Sequence, residues 1–346
     1  MNDSILHQKI LLALLEQHGC YQCVGVAGDG LMAVRMNQEY RPDLILMDIH
    51  MPNMDGVTAT MNIMNSHPTR ILIVTCTVSS NVTRVFEAQA KGAMDVIKTP
   101  VVTLNGQGIL TQDCMNRAGL QLFQKMDTLL KACVPHVSST QRPQRLAISS
   151  APTSPAQRLI VIGASTGGPN AVLKILAALT DLKDTAVVLN QHIDEIFAES
   201  FRLWLAEHTG LTICLAKNGQ PLKSKHVYVA PGGRQSVTVT PEKQIKIVPT
   251  PAELYYSPSI NLCMNSVAKV FGANALGVIL TGMADDGAEG LLSMKQAGAI
   301  TLAQTPDSCV VDSMPKSAQR IGAAQGAQPL DGIRRTIEEW IKGGRS

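Results

Sequence analysis

Short, wholly apolar segments alternate with helical patterns along this chain, and that alternation restricts its fold more than any other feature. In the first half, the predicted strands are Tyr21–Ala27, Asp43–Met47, Ile71–Thr75 and Met94–Ile97. A helical pattern, Leu31–Gln38, follows the first of them. Strands that are apolar along their whole length are buried on both faces, so the pattern predicts a parallel sheet covered by helices.

The same alternation returns in the second half. Predicted strands there are Leu159–Ile162, Ala186–Asn190, Thr212–Leu215, Val227–Ala230, Leu276–Leu280 and Ala299–Ala303. Predicted helices are Pro169–Leu179, Ser259–Val270 and Ala288–Gln296. Val237–Thr240 and Ile245–Val248 flank a short polar turn and predict a hairpin attached to the sheet. The second half is therefore predicted to be a doubly wound, mostly parallel α/β domain.

A break separates the two halves. Ser149–Pro155 is rich in Ser and Pro and has little to bury, which is typical of a flexible linker. Met115–Leu130 predicts a short amphipathic helix leading into it. The 346 residues suffice for two domains with separate cores. We predict a first domain over residues 1–104, a linker over 105–157 and a second domain over 158–342.

Composition and charge argue against several classes of protein. The chain is 45% hydrophobic and 16% charged, as in soluble globular proteins, and its net charge of +3 gives no indication of nucleic-acid binding. No apolar run reaches the roughly 18 residues of a membrane span, and the start of the chain lacks a secretory signal pattern. We expect a cytoplasmic protein that neither binds nucleic acid nor inserts into a membrane.

Asp48 directly follows the second apolar strand, at the end of a parallel sheet where ligands bind. It could be a plain turn acid near Asp55-Gly56. The segment from Leu44 to Gly56, LILMDIHMPNMDG, nevertheless resembles the phosphoacceptor motif of bacterial response-regulator receiver domains, which have a flavodoxin-like fold. That resemblance implies that Asp48 takes a phosphoryl group from a histidine kinase, with Mg²⁺ neutralising the oxygens. It implies Asp3, Asp48 and His50 as the metal site and Thr75 as the hydroxyl that contacts the phosphoryl group.

Two departures from receiver domains stand out. Thr99 occupies the place of the family's lysine, and Lys98 lies one residue earlier, so its side chain is expected on the other face of the strand. The resemblance implies Thr75 and Lys98 as the receiver switch, and the displacement acts against contact between Lys98 and the phosphoryl group. Asn2 replaces one metal-binding acid, and the first strand of the fold is absent before it. Either the start is assigned too late or the receiver is weakened.

Ser165 lies in the glycine-rich turn Gly163-Ala-Ser-Thr-Gly-Gly168, between a predicted strand and a predicted helix. Backbone N–H groups and the helix dipole at such a turn can hold an oxyanion beside an exposed hydroxyl. The turn matches the G-x-S-x-G nucleophile elbow, but a phosphate-binding turn needs the same glycines. The turn alone leaves both interpretations open.

His192 and Asp286 also follow predicted strands at their carboxyl ends. Each has a simpler interpretation, as a structural histidine and as a helix cap. Together with Ser165 they suit nucleophilic catalysis, in which His192 takes the serine proton and Asp286 orients the imidazole. Their order in the chain differs from the Ser, Asp, His order of α/β-hydrolases.

The motifs GASTGG, QH, APG, VILTGM and DGA resemble the chemotaxis protein-glutamate methylesterase (CheB) family over nearly the whole chain. The resemblance implies hydrolysis of glutamate methyl esters on chemoreceptors, with deamidation of receptor glutamines as a related activity. It also implies Ser165, His192 and Asp286 as the triad, the backbone N–H of Met283 as an oxyanion donor, and no cofactor for the esterase. The receiver would cover the active site until Asp48 is phosphorylated. Asn261 stands where the family usually has Asp, a change expected to affect a helix start or the rim of the site.

Two other functions stay open at this point. The chain could be a CheB-like adaptor with a degenerate receiver, as Asn2 and Thr99 suggest. Its second domain would then be an esterase independent of phosphorylation, or would mainly bind a partner. It could also hydrolyse a different ester or amide, because substrate choice depends on the surface around the triad.

Overall fold

A computed structural model describes residues 1–76, 83–102, 112–134, 154–179 and 181–343. They belong to two compact units, Met1–Ser139 and Thr140–Ser346. Of the linker predicted over residues 105–157, residues 105–111 and 135–153 lie outside these ranges. No helix within them is long and apolar enough to cross a membrane.

The first unit contains a parallel sheet in the order β1-β2-β3. Its strands are β1 (Leu44–Met47), β2 (Arg70–Thr75) and β3 (Asp95–Lys98). Its helices are α1 (Ile5–His18), α2 (Gly30–Tyr40), α3 (Gly56–Ser66), α4 (Thr83–Ala90) and α5 (Gln112–Lys131). Helix α5 was predicted as part of the linker. It contacts all three strands and buries Leu122, Met126 and Leu129, so it belongs to this unit.

The prediction of a strand at Tyr21–Ala27 is wrong, because the segment belongs to no sheet within residues 1–76. Met1 and Asn2 lie between the end of this segment and β1. Asn2 N–H donates to the Ala27 carbonyl, and Asp48 N–H donates to the Met1 carbonyl. The rest of the space beside Gln22–Val26 and Leu44–Leu46 is a cavity of about 490 Å³. A strand needs a hydrogen-bonded neighbour, and this segment has none along most of its length.

The second unit contains a seven-stranded sheet in the order β12-β11-β10-β4-β5-β7-β6, in which every pairing is parallel. Its strands are β4 (Arg158–Ala164), β5 (Thr185–Gln191), β6 (Thr212–Leu215), β7 (His226–Val229), β10 (Ala275–Ile279), β11 (Ile300–Gln304) and β12 (Gly326–Gln328). Strands β4, β5 and β10 are buried along almost their whole length, as the apolar pattern predicts.

The helices of the second unit are α6 (Gly168–Leu176), α7 (Glu195–Thr209), α8 (Ile260–Phe271), α9 (Ala288–Gln296), α10 (Ser313–Arg320) and α11 (Leu330–Lys342). The predicted hairpin is present as β8 (Gln235–Val239) and β9 (Ile245–Pro249), but it forms a separate two-stranded sheet. The prediction that it joins the parallel sheet is therefore wrong. Its inward residues Val237, Val239 and Ile245 pack in the same core as Val267 of α8, and this contact replaces strand pairing.

Candidate active site and carboxylate site

Ser165 directly follows β4, and its backbone is fixed on three sides. Its N–H donates to the Thr281 carbonyl at 3.0 Å, and its carbonyl accepts from Gly168 N–H at 2.7 Å and from Gln191 Nε2 at 2.9 Å. Only 8% of the residue is exposed. These bonds place a serine hydroxyl in a rigid turn at the start of α6.

The glycines of this turn are required by its geometry. Gly167 has φ of +76°, in the left-handed region, and a Cβ there would lie 2.6 Å from Val310 Cβ. A Cβ on Gly168 would lie 2.2 Å from Oε1 of Gln191. The glycines therefore allow β4 to turn directly into α6 beneath Ser165.

His192 is the residue after β5 and is held at the edge of the sheet. Its N–H donates to the Ala164 carbonyl at 2.9 Å. The register pairs Ala164 with Gln191, so Ser165 and His192 are the next residues of two neighbouring strands. Nε2 of His192 lies 2.9 Å from Oδ2 of Asp286. Nδ1 is buried and has no hydrogen-bond partner among the described residues.

Asp286 lies in the loop after β10 and accepts several hydrogen bonds at the N-terminus of α8. Ile260 N–H donates at 2.7 Å, Asn261 N–H at 3.0 Å and the Ser259 hydroxyl at 3.3 Å. Burial acts to raise the pKa of this carboxyl, but the bonds from His192 and these backbone N–H groups lower it below its ordinary value. Asp286 is therefore a carboxylate near neutral pH, and Nε2 of His192 must carry the proton between them.

The loop that contains Met283 lies against Ser165. A Cβ on Gly282 would lie 2.7 Å from the Cβ of Ser165, so only glycine permits this approach. Gly282 N–H donates to the Val311 carbonyl, and Ala284 N–H donates to the Ser313 hydroxyl. Met283 follows Gly282, and its predicted role as an oxyanion donor stays a prediction.

In the first unit, Asp48 is the residue after β1 and is 5% exposed. Its Oδ1 accepts from Ile49 N–H at 2.7 Å and from His50 N–H at 3.4 Å, and its Oδ2 accepts from Asn2 Nδ2 at 2.7 Å. Burial raises the pKa of Asp48 above its ordinary value, and the charge of Asp3 acts in the same direction. The negative charge of Asp3 therefore acts on the Asp48 carboxyl at this strand end.

This pair of carboxylates fits a hard divalent cation. Mg²⁺ is usually held by one or two carboxylates and several waters, and such an ion would offset the repulsion between Asp3 and Asp48. The described residues contain no group of three or more His, Cys, Asp or Glu side chains that could hold a metal. The imidazole of His50 thus does not join the other two predicted ligands.

Thr75 and Lys98 end the two other strands of this sheet and are register partners. Thr75 is buried, and its hydroxyl lies close enough to Asp48 to lower the pKa of that carboxyl. Lys98 is exposed, whereas Thr99 is buried and donates its N–H to the Thr75 carbonyl. The one-residue displacement places threonine, and not lysine, on the inner side of the strand end.

Several contacts of the site have no local sequence signal. Tyr256 stacks on the imidazole of His192, with ring centroids 5.3 Å apart. Ser259 and the backbone of α8 hold Asp286, and Gln191 fixes the Ser165 carbonyl. Gln191 stands next to His192 in the sequence, but this position alone does not indicate that its amide holds the Ser165 carbonyl.

The fold and these two sites define a class of two-unit α/β protein, with an aspartate at a strand end in one unit and Ser, His and Asp at a sheet edge in the other. The family model for CheB methylesterase matches residues 160–337, and the model for the response regulator receiver domain matches residues 1–104. The chain belongs to the CheB methylesterase family.

Relatives match the chain over its whole length. The protein-glutamate methylesterase/protein-glutamine glutaminase 1 of Pseudomonas fluorescens strain Pf0-1 is 39% identical, over 98% of this chain and 97% of the relative. The corresponding protein 2 of Cupriavidus metallidurans is 37% identical, over 100% and 98%. The crystal structure of the Thermotoga maritima CheB methylesterase catalytic domain is 29% identical with a TM-score of 0.50, and the match covers 53% of this chain and 98% of that one.

Proposed function

We propose that this protein hydrolyses glutamate methyl esters on chemoreceptors, deamidates receptor glutamines, and is regulated by phosphorylation of Asp48. The observation that carries the esterase is the His192–Asp286 bond, which leaves Nδ1 available as a base beside the strand that presents Ser165. The names of the full-length relatives support the substrate.

The reaction follows from these groups. Ser165 Oγ attacks the ester carbonyl carbon while its proton passes to Nδ1 of His192. The bond to the methoxy group then breaks, and the proton on Nδ1 leaves with it as methanol. Asp286 stabilises the imidazolium in between, and the backbone N–H of Met283 is proposed to hold the oxyanion.

The second half of the cycle regenerates the serine. Water attacks the acyl-enzyme and gives a proton to Nδ1. The bond to Ser165 Oγ breaks, Ser165 regains a proton from Nδ1, and the receptor glutamate is released. With a glutamine substrate the first leaving group is ammonia, which takes the same proton.

In the first unit, an oxygen of Asp48 is proposed to attack the phosphorus of a phosphohistidine on a chemotaxis histidine kinase in the cytoplasm. The new O–P bond forms as the P–N bond breaks, and the kinase histidine leaves. Asp3 and Asp48 are the residues that would hold Mg²⁺, which supplies positive charge against the phosphoryl oxygens. The hydroxyl of Thr75, which acts on the pKa of the neighbouring Asp48, is proposed to contact the phosphoryl group.

Mass spectrometry of methylated receptor peptides tests the proposal. The protein is expected to convert both glutamate methyl esters and receptor glutamines into glutamates. Hydrolysis of small esters with unchanged receptor peptides would instead support a different ester or amide substrate.

A second candidate function does not depend on phosphorylation of Asp48. The exposed position of Lys98 and the burial of Thr99 favour an esterase, or a partner-binding adaptor, that does not depend on phosphorylation. Acid-labile phosphate on Asp48 together with a faster esterase would support the regulated enzyme. No phosphate and an unchanged rate in the presence of a phosphodonor would support the second candidate.

A further inference from the structure

Tyr256 covers one face of the imidazole of His192. The two rings are nearly parallel, with an interplanar angle of 16° and centroids 5.3 Å apart. Tyr256 is half-buried, and the exposed ring of Tyr255 packs edge-on against it at 4.9 Å. A cation within about 6 Å of an aromatic centroid is attracted by the negative face of the ring.

The segment that carries Tyr256 is held in place by Arg234. The guanidinium donates from Nη1 to the Leu254 carbonyl at 2.7 Å and from Nη2 to the Pro251 carbonyl at 2.5 Å. The hydroxyl of Ser257 donates to the Gly233 carbonyl and lies 2.7 Å from Oγ1 of Thr250. These bonds fix the backbone on both sides of Tyr256. The segment therefore holds the tyrosine ring beside His192.

The hydrogen bond to Asp286 does not by itself fix the plane of the imidazole. Asp286 holds the ring edge through Nε2 alone, and a single hydrogen bond permits rotation about its axis. Burial raises the pKa of the Tyr256 phenol, and the charges of Tyr255 and Asp285 act in the same direction. The ring against His192 is thus a neutral phenol near neutral pH. Among the titratable groups around this pair, Asp286 bonds to His192, and Asp285 and Tyr255 act on Tyr256. Cys263 lies close to Asp286.

We propose that Tyr256 is a positioning residue of the esterase, whose ring fixes the plane of the His192 imidazole and stabilises the imidazolium formed when Nδ1 takes a proton. The proposal rests on the proposed roles of Ser165, His192 and Asp286. The ring acts through its face, so its hydroxyl is not required.

The variants Tyr256→Leu and Tyr256→Phe separate the ring from the hydroxyl, and Tyr255→Leu removes the neighbouring ring as a control. In the full-length protein, Tyr256→Leu is expected to lower kcat/KM for methylated receptor about fivefold at neutral pH. The acid limb of its pH profile should move to lower pH, because the imidazolium loses the attraction of the aromatic face. Tyr256→Phe and Tyr255→Leu should keep the wild-type limb. An unmoved limb in Tyr256→Leu, or an equal shift in Tyr256→Phe, overturns the proposal.

A titration of His192 by NMR does not depend on turnover. In full-length protein with Ser165→Ala, adding Tyr256→Leu is expected to lower the pKa of His192, and an unchanged pKa overturns the role of Tyr256. Should the leucine variant fail to fold, Tyr256→Trp provides the test, because the stronger quadrupole of indole should raise that pKa. Absence of methanol release by the wild type would count against the proposed function, whereas the titration reports on Tyr256 alone.

Discussion

Asp286 Oδ2 lies 2.9 Å from Nε2 of His192, and this contact decides which ring nitrogen can act as a base. A carboxylate can only accept, so the proton lies on Nε2 and the lone pair on Nδ1. In serine proteases the aspartate holds Nδ1 and leaves Nε2 for the serine. In this protein the two ring nitrogens have the opposite roles. Asp286 holds Nε2 of His192, and Nδ1 is the nitrogen that can accept a proton.

Asp286→Asn is expected to lower the rate of methanol release by on the order of 10³- to 10⁴-fold, because an amide can leave His192 in the wrong tautomer. Asp285→Asn is the matched control, since among the described residues it is Asp286, and not Asp285, that bonds to His192. The rates are compared on methylated receptor. Similar losses in both variants would contradict the assignment.

Asn261→Ala is expected to destabilise the second unit by about 1 to 2 kcal/mol, as loss of a helix cap does. Its Oδ1 accepts from Gly287 N–H at 3.0 Å and Gly290 N–H at 2.7 Å, at the start of α9 and next to Asp286. Asn261→Asp keeps an acceptor oxygen and should retain most of that stability. Urea unfolding measures the stability of both variants. Equal losses of stability would show that the acceptor oxygen at residue 261 does not stabilise the start of α9.

Asp48→Asn is expected to stabilise the first unit at neutral pH. The pKa of Asp48 is raised by burial, so the folded protein holds this proton more tightly than the unfolded chain does. Stability therefore falls as pH rises from about 4 through the raised pKa, and asparagine removes that loss. Thermal unfolding as a function of pH checks the sign. Mg²⁺ should raise the midpoint of the wild type and leave Asp48→Asn unchanged, and an equal effect on both would exclude Asp48 as a ligand.

The amides of residues 22–26 are expected to exchange with solvent much faster than those of β2. They border the cavity beside β1 and belong to no strand, whereas β2 is paired on both sides. Hydrogen exchange measured by mass spectrometry compares the two segments. Equal protection would show that another part of the chain pairs with Tyr21–Ala27 in solution.

Strand-end positions are the part of the site that the sequence predicts well. Ser165, His192 and Asp286 each follow an apolar strand, and the carboxyl ends of parallel strands share one sheet edge. The sequence pattern does not show with which neighbour a predicted strand pairs. The apolar pattern of Tyr21–Ala27 indicates a strand but cannot say whether a neighbour exists. The hairpin pattern likewise cannot distinguish pairing with the sheet from packing on α8.

Contacts between distant loops are the part that sequence patterns miss. Tyr256 lies in a segment without helical or strand periodicity, and its stacking on His192 depends on how Arg234 holds that segment. The bonds from Ser259 to Asp286 arise because the N-terminus of α8 meets the loop after β10. Such contacts follow from the packing of complete elements and have no fixed spacing in the chain.

Methanol release from methylated receptor by Ser165→Ala tests the central claim most directly. The account predicts a loss of on the order of 10⁴-fold or more relative to wild type, because the substitution removes the proposed nucleophile. Ser293→Ala serves as the control and should release methanol at the wild-type rate. Ser293 is a half-buried residue of α9 whose hydroxyl donates to the Glu289 carbonyl of the same helix. Release by Ser165→Ala at the wild-type rate would contradict the account.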